Sequence, residues 1–317
     1  MKILIPGGSG QVGTLLARSF HARGEQVVVL GRDPQPAPWR TLPWDGRSAG
    51  PWADELDGAD ILVNLAGRNV NGSYTRANRD EIMRSRVDST RVLAQAIAAA
   101  AHPPRLWLQA STATIYAHRT DAANDEDAGL IGGDEPDAPA SWAFSIEVAR
   151  AWEQAADELP LPSTRIVKLR SAMTMSPDPG GVFDTLLGLV RAGLGGTCGP
   201  GTQYVSWIHD QDLLRAVDWL IAREHLSGPV NLSSPGPFPN RDFMAALRAA
   251  WGTSVGLPAT RWMLELGAVF LKTETELVLK SRRVVPGRLL EDGFAFGFAQ
   301  WPAAAEDLCA RWRTLRA

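Results

Sequence analysis

Three glycines near the N-terminus have the spacing of a phosphate-binding loop. Gly7, Gly10 and Gly13 follow a short apolar run at residues 2–6 and enter a helical pattern at residues 11–23. Glycine lets a backbone approach a ligand closely, and a helix N-terminus presents unpaired N–H groups and a partial positive charge to an anion. Strand, glycine turn and helix in this order favour a dinucleotide pyrophosphate site over a plain structural turn.

The end of the second predicted strand indicates which dinucleotide is bound. Residues 26–30 are an apolar strand, and Gly31-Arg32-Asp33 follows it. In dinucleotide-binding folds a carboxylate at this place binds the free 2′-hydroxyl of NAD, whereas an arginine suits the 2′-phosphate of NADP. Because Arg32 comes first, we predict NADP(H). Asp33 favours NAD, and the alternative for Arg32 is a solvated surface side chain.

Composition and charge exclude several classes of protein. The chain has 317 residues, enough for one large α/β unit or two linked domains, and its net charge of −3 without a basic tract argues against a nucleic-acid partner. No apolar run approaches the length of a membrane span, and a strand from residue 2 leaves no room for a signal peptide. Cys198 and Cys309 form neither a disulfide framework nor a metal cluster, so we expect a cytoplasmic protein without a structural metal.

The elements that must position the glycine loop alternate along the first half of the chain. Apolar strands are separated by amphipathic helices, which predicts a parallel sheet covered on both faces. Strands are expected at 2–6, 26–30, near Leu42, 60–65, 106–110 and 164–169, and helices at 11–23, 76–101 and 142–157. The polar, Gly/Pro-rich residues 117–141 follow a strand end, where α/β proteins bind ligands, and are a candidate lid.

The second half changes character and is predicted to be mainly helical. Helices are expected near 182–192, 210–223, 240–251, 260–272 and 274–281, with a short strand at 229–232. We therefore predict an α/β fold: a Rossmann-type doubly wound parallel sheet with a smaller, mainly helical C-terminal substrate part. The dinucleotide-binding domain is assigned to residues 1–175 and the C-terminal part to residues 176–317, interleaved with the sheet near 205–235.

Further motifs cover nearly the whole chain and carry a family resemblance. They are Asn64-Leu65-Ala66-Gly67, Ser85-Arg86-Val87-Asp88-Ser89-Thr90, Ala110-Ser111-Thr112-Ala113-Thr114-Ile115-Tyr116, Ala151-Trp152-Glu153, Gly193-Leu194-Gly195-Gly196, Ser206-Trp207-Ile208-His209 and the segment 286–294. With the glycine loop, they resemble the extended short-chain dehydrogenase/reductase superfamily. More narrowly, they are similar to its atypical epimerase-like subgroup, which carries an extra C-terminal domain of unknown function. The resemblance implies a bound NADP(H) and a substrate cleft between the sheet and the C-terminal part.

The resemblance also implies which residues hold the cofactor. The glycine loop and Arg32 are joined by the turn after the fourth strand, which lies under the adenine side, and by residues at two strand ends beside the nicotinamide. The expected cofactor-binding residues are Gly7, Ser9, Gly10, Gln11, Val12, Gly13, Arg32, Leu65, Ala66, Gly67, Ser111, Ser171 and Met173.

The superfamily's catalytic pair is missing from this chain. In the superfamily a Tyr-x-x-x-Lys pair moves a proton beside hydride transfer, which requires a phenol of lowered pKa. The matching positions here are Phe144 and Val148, and neither side chain can carry a proton. None of the three tyrosines, Tyr74, Tyr116 and Tyr204, is followed by a lysine four residues later. Ordinary ketone/alcohol chemistry is therefore in doubt.

Three residues remain as candidates for catalysis. Thr112 matches the superfamily's catalytic Ser/Thr, and its alternative is a strand-end hydroxyl satisfied by the backbone. Tyr116 is the substitute acid at the expected nicotinamide end, and its alternative is packing. Arg86 takes the place of the superfamily's helix asparagine and suits a carboxylate or phosphate. Its alternative is an ion pair with Asp88 or a nearby loop.

These observations leave three functions open. The leading hypothesis is an NADP(H)-dependent oxidoreductase or epimerase-like enzyme that acts on a small polar metabolite. The alternatives are a non-catalytic NADP(H)-binding sensor or regulator, favoured by Phe144 and Val148, and a redox-neutral lyase or cyclase on the same fold. The helices near 76–101 and 142–157 resemble those of a dimer seam in related folds, which suggests a homodimer.

Overall fold

A seven-stranded parallel sheet forms the centre of the fold. The structure is a computed structural model that describes residues 1–70, 74–135, 139, 142–259 and 276–317. The strands are ordered β10-β6-β5-β4-β1-β2-β3, and every neighbouring pair is parallel. Their bounds are β1 Lys2–Pro6, β2 Gln26–Gly31, β3 Arg40–Pro43, β4 Ile61–Asn64, β5 Leu106–Thr112, β6 Arg165–Ser171 and β10 Gly228–Leu232. The predicted Rossmann-type sheet is confirmed.

Helices cover both faces of the sheet because its strands are apolar on both sides. Successive side chains of a strand point to opposite faces, so Ile3 and Ile5 pack with one core cluster and Leu4 with another. Helices α1 (Gln11–Ala22) and α5 (Asp210–Ala222) contact each other beside the first cluster, and α2 (Arg76–Ala99) contacts α3 (Ala143–Asp157) beside the second. Within the described chain, no helix combines the length and apolar character needed to cross a bilayer.

The C-terminal part has a core of its own. Short strands β7 (Met173–Met175), β8 (Tyr204–Val205), β9 (Trp207–His209) and β11 (Phe238–Pro239) accompany helices α4 (Val182–Arg191), α6 (Asn240–Trp251), α7 (Glu276–Leu279), α8 (Gly287–Glu291) and α9 (Trp301–Thr314). Aromatic rings fill the centre: Trp301 stacks on Phe243 with ring centroids 4.0 Å apart and meets Trp207 edge-on at 5.1 Å. These residues bury one face each of α6 and α9.

The second half of the chain contains elements that the sequence did not predict: the short strands β7, β8, β9 and β11 and helices α8 and α9. Helix α9, Trp301–Thr314, was not predicted, although its buried residues have the helical spacing of Trp301, Ala304, Ala305, Leu308 and Trp312. The helix expected at 260–272 lies outside the described residues, and of the helix expected at 274–281 the structure describes Glu276–Leu279. Strand β10 and helix α5 join the sheet from this half, while the domain boundary at residue 175 stays a prediction.

The loop after β5 is fastened to the C-terminal part. Backbone bonds run from Asn124 N to Arg283 O at 2.7 Å and from Val285 N to Asn124 O at 2.9 Å, and Ala117 N donates to Leu130 O at 2.8 Å. The two bonds of Asn124 tie the described part of the expected lid, residues 117–135, to the C-terminal part, and the Ala117–Leu130 bond joins two positions within it. They argue against a lid that opens as one unit.

Candidate functional site

Close backbone contacts require glycine at two positions of the glycine loop. Gly7 has φ +73°, and a Cβ placed on it would lie 2.6 Å from Ala66 Cα in the turn after β4. A Cβ on Gly13 would lie 2.4 Å from Gly8 Cα, so the first turn of α1 packs directly on the loop. Both distances are too short for a side chain. The loop is therefore pressed between the turn after β4 and the helix.

The N-terminus of α1 is open on the side where a phosphate would bind. Gly10 precedes the helix, no side chain caps it, and a Cβ placed there would meet nothing closer than Gly7 O at 4.0 Å. In the first turn, the Gln11 Nε2 atom is buried without a hydrogen-bond partner in the described structure. It lies against Gly181, whose added Cβ would be 1.8 Å away. Unpaired donors at a helix N-terminus suit an anion.

A buried asparagine shapes the turn after β4. The fully buried Asn64 accepts a hydrogen bond from Ala66 N at 3.0 Å and donates from Nδ2 to Gln109 Oε1 at 2.9 Å. The same nitrogen lies 3.3 Å from Thr90 Oγ1 on α2. These bonds fix the backbone of Leu65, Ala66 and Gly67 beside the glycine loop. The predicted turn thus adjoins the predicted loop.

The expected ribose-binding residues lie at the end of β2. Arg32 and Asp33 are exposed directly after the strand. Ser9 of the glycine loop is adjacent, because a Cβ added to Gly31 would lie 3.7 Å from Ser9 Oγ. The structure therefore brings Arg32, Ser9 and the open helix end to one edge of the sheet. Val12 follows in α1, where it packs on the core.

Two further predicted residues, Thr112 and Ser171, sit opposite each other at the ends of β5 and β6. Thr112 Oγ1 accepts a hydrogen bond from Thr114 N at 3.1 Å. In this bond the oxygen accepts, so its O–H group can still donate to a substrate oxygen. Met173 follows in β7 and donates from its N–H to Ser206 O at 3.3 Å.

Tyr116 belongs to a buried polar network rather than to an open cleft. Its side chain is 2% exposed, and its Oη donates to Asn231 Oδ1 and accepts from Arg170 Nη1, both at 2.9 Å. Burial raises the pKa of Tyr116. Glu153 joins Arg170 through two bonds of 2.9 Å and accepts from Ser111 Oγ at 2.5 Å. This arrangement favours a structural role for Tyr116 and commits the Ser111 hydroxyl to Glu153.

Arg86 is a half-buried cation beside the turn after β4. A Cβ added to Gly67 would lie 3.2 Å from Arg86 Cζ, so the guanidinium covers this backbone. The group also lies 5.0 Å from the Trp152 ring centroid, and its Nη1 donates to Ile82 O at 3.1 Å. Burial lowers the pKa of Arg86 to about 10, and the interaction that opposes the shift comes from Tyr74, not from a carboxylate. The expected alternative, an ion pair with Asp88, is not formed.

An aromatic cluster occupies the place of the missing catalytic pair. Phe144 and Val148 on α3 pack with Ile82, and Tyr74 joins them with its ring 5.1 Å from that of Phe144. The Arg79 guanidinium lies 4.9 Å from the Phe144 centroid. From the sequence, Tyr116 is the phenol expected near the nicotinamide end. In the structure a second phenol, Tyr74, packs against Phe144, the residue that replaces the superfamily's tyrosine.

Polar side chains of the C-terminal part contact Thr114 and Ser145. Lys280 donates from Nζ to Thr114 O at 2.9 Å, and Arg282 donates from Nε to Thr114 Oγ1 at 3.1 Å. Glu276 accepts from Ser145 Oγ and lies 3.4 Å from Lys280 Nζ. Burial lowers the pKa of Lys280 to about 8. The sequence analysis missed these residues because no local spacing links them to Thr114.

Known proteins resemble the chain over its whole length. The human epimerase family protein SDR39U1 is 32% identical over 98% of this chain and 100% of its own length. YfhF of Bacillus subtilis is 25% identical over 99% of this chain and 100% of its own. The match to each relative therefore includes both the sheet and the C-terminal part.

Solved structures give the same result. The crystal structure of human SDR39U1 (isoform 2) with NADPH has a TM-score of 0.84 and 31% identity, and covers 98% of this chain and 99% of its own. The dTDP-glucose 4,6-dehydratase DesIV from Streptomyces venezuelae shares the fold, with a TM-score of 0.76 at 18% identity, covering 100% of this chain and 98% of its own. Residues 259–308 match a domain of unknown function, DUF1731. Residues 3–232 match the NAD dependent epimerase/dehydratase family, and the chain belongs to that family.

Proposed function

We propose that this protein is an NADP(H)-dependent oxidoreductase or epimerase-like enzyme that acts on a small polar metabolite. The observation that carries the proposal is the α1 N-terminus, which is uncapped, opened by Gly10, and supplied with the unpartnered Gln11 Nε2 donor. A pyrophosphate would match these donors in charge and position. When bound, the nicotinamide supplies or accepts a hydride.

The cofactor-binding residues are proposed on the same grounds. The glycine loop would hold the pyrophosphate, the turn fixed by Asn64 would hold the adenine side, and the ends of β5 and β6 would lie beside the nicotinamide. The proposed set is Gly7, Ser9, Gly10, Gln11, Val12, Gly13, Arg32, Leu65, Ala66, Gly67, Ser111, Ser171 and Met173. Of these, Ser111 would contribute its backbone, because its hydroxyl is bonded to Glu153.

Arg32 supports a preference for NADP(H) over NAD(H). It is exposed at the end of β2, next to Ser9, where the adenosine ribose of a dinucleotide would lie. A guanidinium there would form charge-assisted bonds with a 2′-phosphate. The human relative with 31% identity was crystallised with NADPH.

Two side chains are proposed to contact the substrate. Thr112 would donate its hydroxyl hydrogen to a substrate oxygen at the end of β5. Arg86 would bind a carboxylate or phosphate group, because its half-buried charge has no carboxylate partner among the described residues that interact with it. Removing a cation from water is costly unless an opposite charge compensates it.

Phe144 and Val148 favour the second candidate, a sensor that binds NADP(H) without turnover. These apolar residues remove the superfamily's own proton carrier from α3. A redox-neutral lyase or cyclase is a third possibility on the same fold. The sensor would hold the nucleotide unreacted while its affinity for another protein changes, whereas the lyase would turn over without nucleotide.

Steady-state turnover tests the enzyme proposal. We expect the protein to oxidise NADPH in the presence of at least one compound from a panel of carbonyl and imine substrates that carry a carboxylate or phosphate. The Arg86→Met variant would keep its NADPH affinity and lose substrate affinity. Tight NADPH binding without turnover across the panel would contradict the enzyme proposal and favour the sensor.

We also propose a domain division, a cellular location and an oligomeric state for the protein. The chain divides into a dinucleotide-binding part, residues 1–175, and a substrate part, residues 176–317. It resides in the cytoplasm. It forms a homodimer through α2 and α3, which pack together and are joined by the Arg91–Glu158 ion pair.

A further inference from the structure

Tyr74 stands against the residue that replaces the superfamily's catalytic tyrosine. Its ring meets the Phe144 ring edge-on, with centroids 5.1 Å apart and planes at 72°. Val148 and Ile82 belong to the same cluster. Tyr74 is half-buried, and its ring packs on this apolar cluster. It comes from the segment before α2, whereas the superfamily's tyrosine comes from α3.

Positively charged side chains cluster near Tyr74. Burial lowers the pKa of both Arg86 and Arg282, and in each case interaction with Tyr74 opposes that shift. Arg79 adds a third positive charge, 5.9 Å from the centre of the Tyr74 ring. In the superfamily's pair, one lysine supplies the positive charge beside the phenol. Here the positive charge comes instead from arginines, Arg79 and Arg86 on α2 and Arg282 in the C-terminal part.

These arginines also connect Tyr74 to both halves of the proposed site. Arg86 covers Gly67 in the proposed cofactor-binding turn. Arg282 donates to Thr114 Oγ1, and the Thr114 N–H in turn donates to Thr112 Oγ1. Arg86 thus contacts the proposed cofactor-binding turn, and Arg282 is linked through Thr114 to the hydroxyl expected to hold the substrate oxygen.

We propose that Tyr74 is the proton donor and acceptor of this site, in place of the missing tyrosine on α3. The inference rests on the proposed function. In the reducing direction, the Tyr74 O–H bond breaks and a new O–H bond forms on the substrate oxygen, while hydride from NADPH adds to the carbonyl carbon. The products are the alcohol and NADP⁺, and water returns a proton to the tyrosinate.

The two rival phenols differ in access. Tyr116 is 2% exposed and has its oxygen bonded to both Asn231 and Arg170. Tyr204 lies on β8, and the Arg283 guanidinium is 4.6 Å from the centroid of the Tyr204 ring. Tyr204 lines a cavity together with Pro237. Tyr74 is the phenol in contact with Phe144. Of the three tyrosines, Tyr74 is therefore the one whose loss we expect to slow proton transfer.

Nitration tests the placement of Tyr74 without knowledge of the substrate. Wild-type protein is treated with tetranitromethane with and without saturating NADP⁺, and nitrated peptides are quantified by mass spectrometry. We expect NADP⁺ to reduce nitration of Tyr74 at least fivefold and to leave Tyr204 unchanged. Binding of NADP⁺ without protection of Tyr74 would overturn the inference and leave the proposed function standing.

Kinetics of Tyr74→Phe test the proton transfer itself. The change keeps the ring on Phe144 and removes only the oxygen. We expect kcat to fall about 100-fold with KM and the NADPH Kd within threefold of wild type, since proton transfer by a positioned side chain contributes on the order of 10²–10⁴ in rate. The matched control, Tyr204→Phe, retains wild-type kcat.

The outcomes of the two experiments distinguish the proton-transfer role of Tyr74 from the proposed enzyme function. A Tyr74→Phe enzyme with more than half of the wild-type kcat would overturn the inference. Protection of Tyr74 by NADP⁺ in a protein that turns over no substrate would overturn the proposed enzyme function and, with it, the proton-transfer role. Absence of any NADP⁺ binding would overturn both.

Discussion

The proposed nucleotide-binding and substrate-binding halves of the site are built in different ways. On the proposed nucleotide side, the glycine loop, Arg32 and the Asn64 turn follow strands β1, β2 and β4, and close backbone contacts join the loop to the turn. On the proposed substrate side, Tyr74, Phe144 and Arg282 come from three distant segments: the Tyr74 and Phe144 rings are in contact, and Arg282 bonds to Thr114. The nucleotide half keeps the superfamily's pattern, whereas the substrate half has replaced it.

This difference indicates where the fold tolerates change. A Cβ at Gly7 or Gly13 would strike backbone, which moves only with the whole loop. Phe144 and Val148 instead pack against side chains that adjust individually. A new arrangement of catalytic groups can therefore arise on the substrate side while the nucleotide side stays the same.

The largest effect is expected from a methyl group in the glycine loop. Gly13→Ala would place a Cβ 2.4 Å from Gly8 Cα and force the loop away from α1. We expect NADPH affinity to fall at least about 100-fold and stability to fall by about 1–3 kcal/mol, the usual cost of overpacking. Calorimetric titration and denaturant unfolding would measure the two quantities.

Gly188→Ala is the matched control for this change. Gly188 lies inside α4, and a Cβ there would meet nothing within 4 Å. Alanine in a helix interior is favoured over glycine by about 0.5–1 kcal/mol, so the variant should be slightly more stable and bind NADPH normally. Equal NADPH affinity of the two variants would show that the glycine loop is not a nucleotide site.

A medium effect, on stability alone, is expected for Tyr116→Phe. The change leaves Asn231 Oδ1 without its phenol donor and removes the acceptor of Arg170 Nη1. Losing one partner of a buried bond costs about 1–3 kcal/mol. Urea unfolding should show this loss, while NADPH affinity stays within about twofold. If stability is unchanged and turnover is abolished instead, Tyr116 is the acid predicted from the sequence and Tyr74 is not.

The smallest effect is expected from Arg32→Ala, and it concerns selectivity. Removing the guanidinium should weaken NADPH binding about tenfold, or about 1.4 kcal/mol, and leave NADH binding unchanged because NADH lacks the 2′-phosphate. Titrations with both nucleotides would supply the comparison, with NADH as the internal control. An equal loss for both nucleotides would place Arg32 at the pyrophosphate rather than at the ribose.

The nucleotide half was predictable from the sequence because its contacts are local. Gly7, Gly10 and Gly13 lie within one strand–loop–helix unit, and the alternation of Ile3, Leu4 and Ile5 already implies burial on both faces of the sheet. The predicted elements of the first half therefore agree with the structure to within two residues at most ends. In each case the residue pattern within one strand, loop or helix was enough to predict the element.

The substrate half was not predictable because its contacts join distant residues. The bond from Arg282 to Thr114 spans 168 positions, and no spacing in the sequence brings Tyr74 onto Phe144. Tyr74 was considered only as a possible start of a Tyr-x-x-x-Lys motif, which it is not. Helix α9 is a different kind of omission, because the periodicity of Trp301, Leu308 and Trp312 was available in the sequence.

We propose that the glycine loop and the α1 N-terminus bind the pyrophosphate of NADP(H). Isothermal titration of the purified protein with NADPH, and separately with NADH, measures this binding. We predict a single site per chain, with NADPH bound at least about tenfold more tightly than NADH. Absence of measurable binding of either nucleotide would contradict the account.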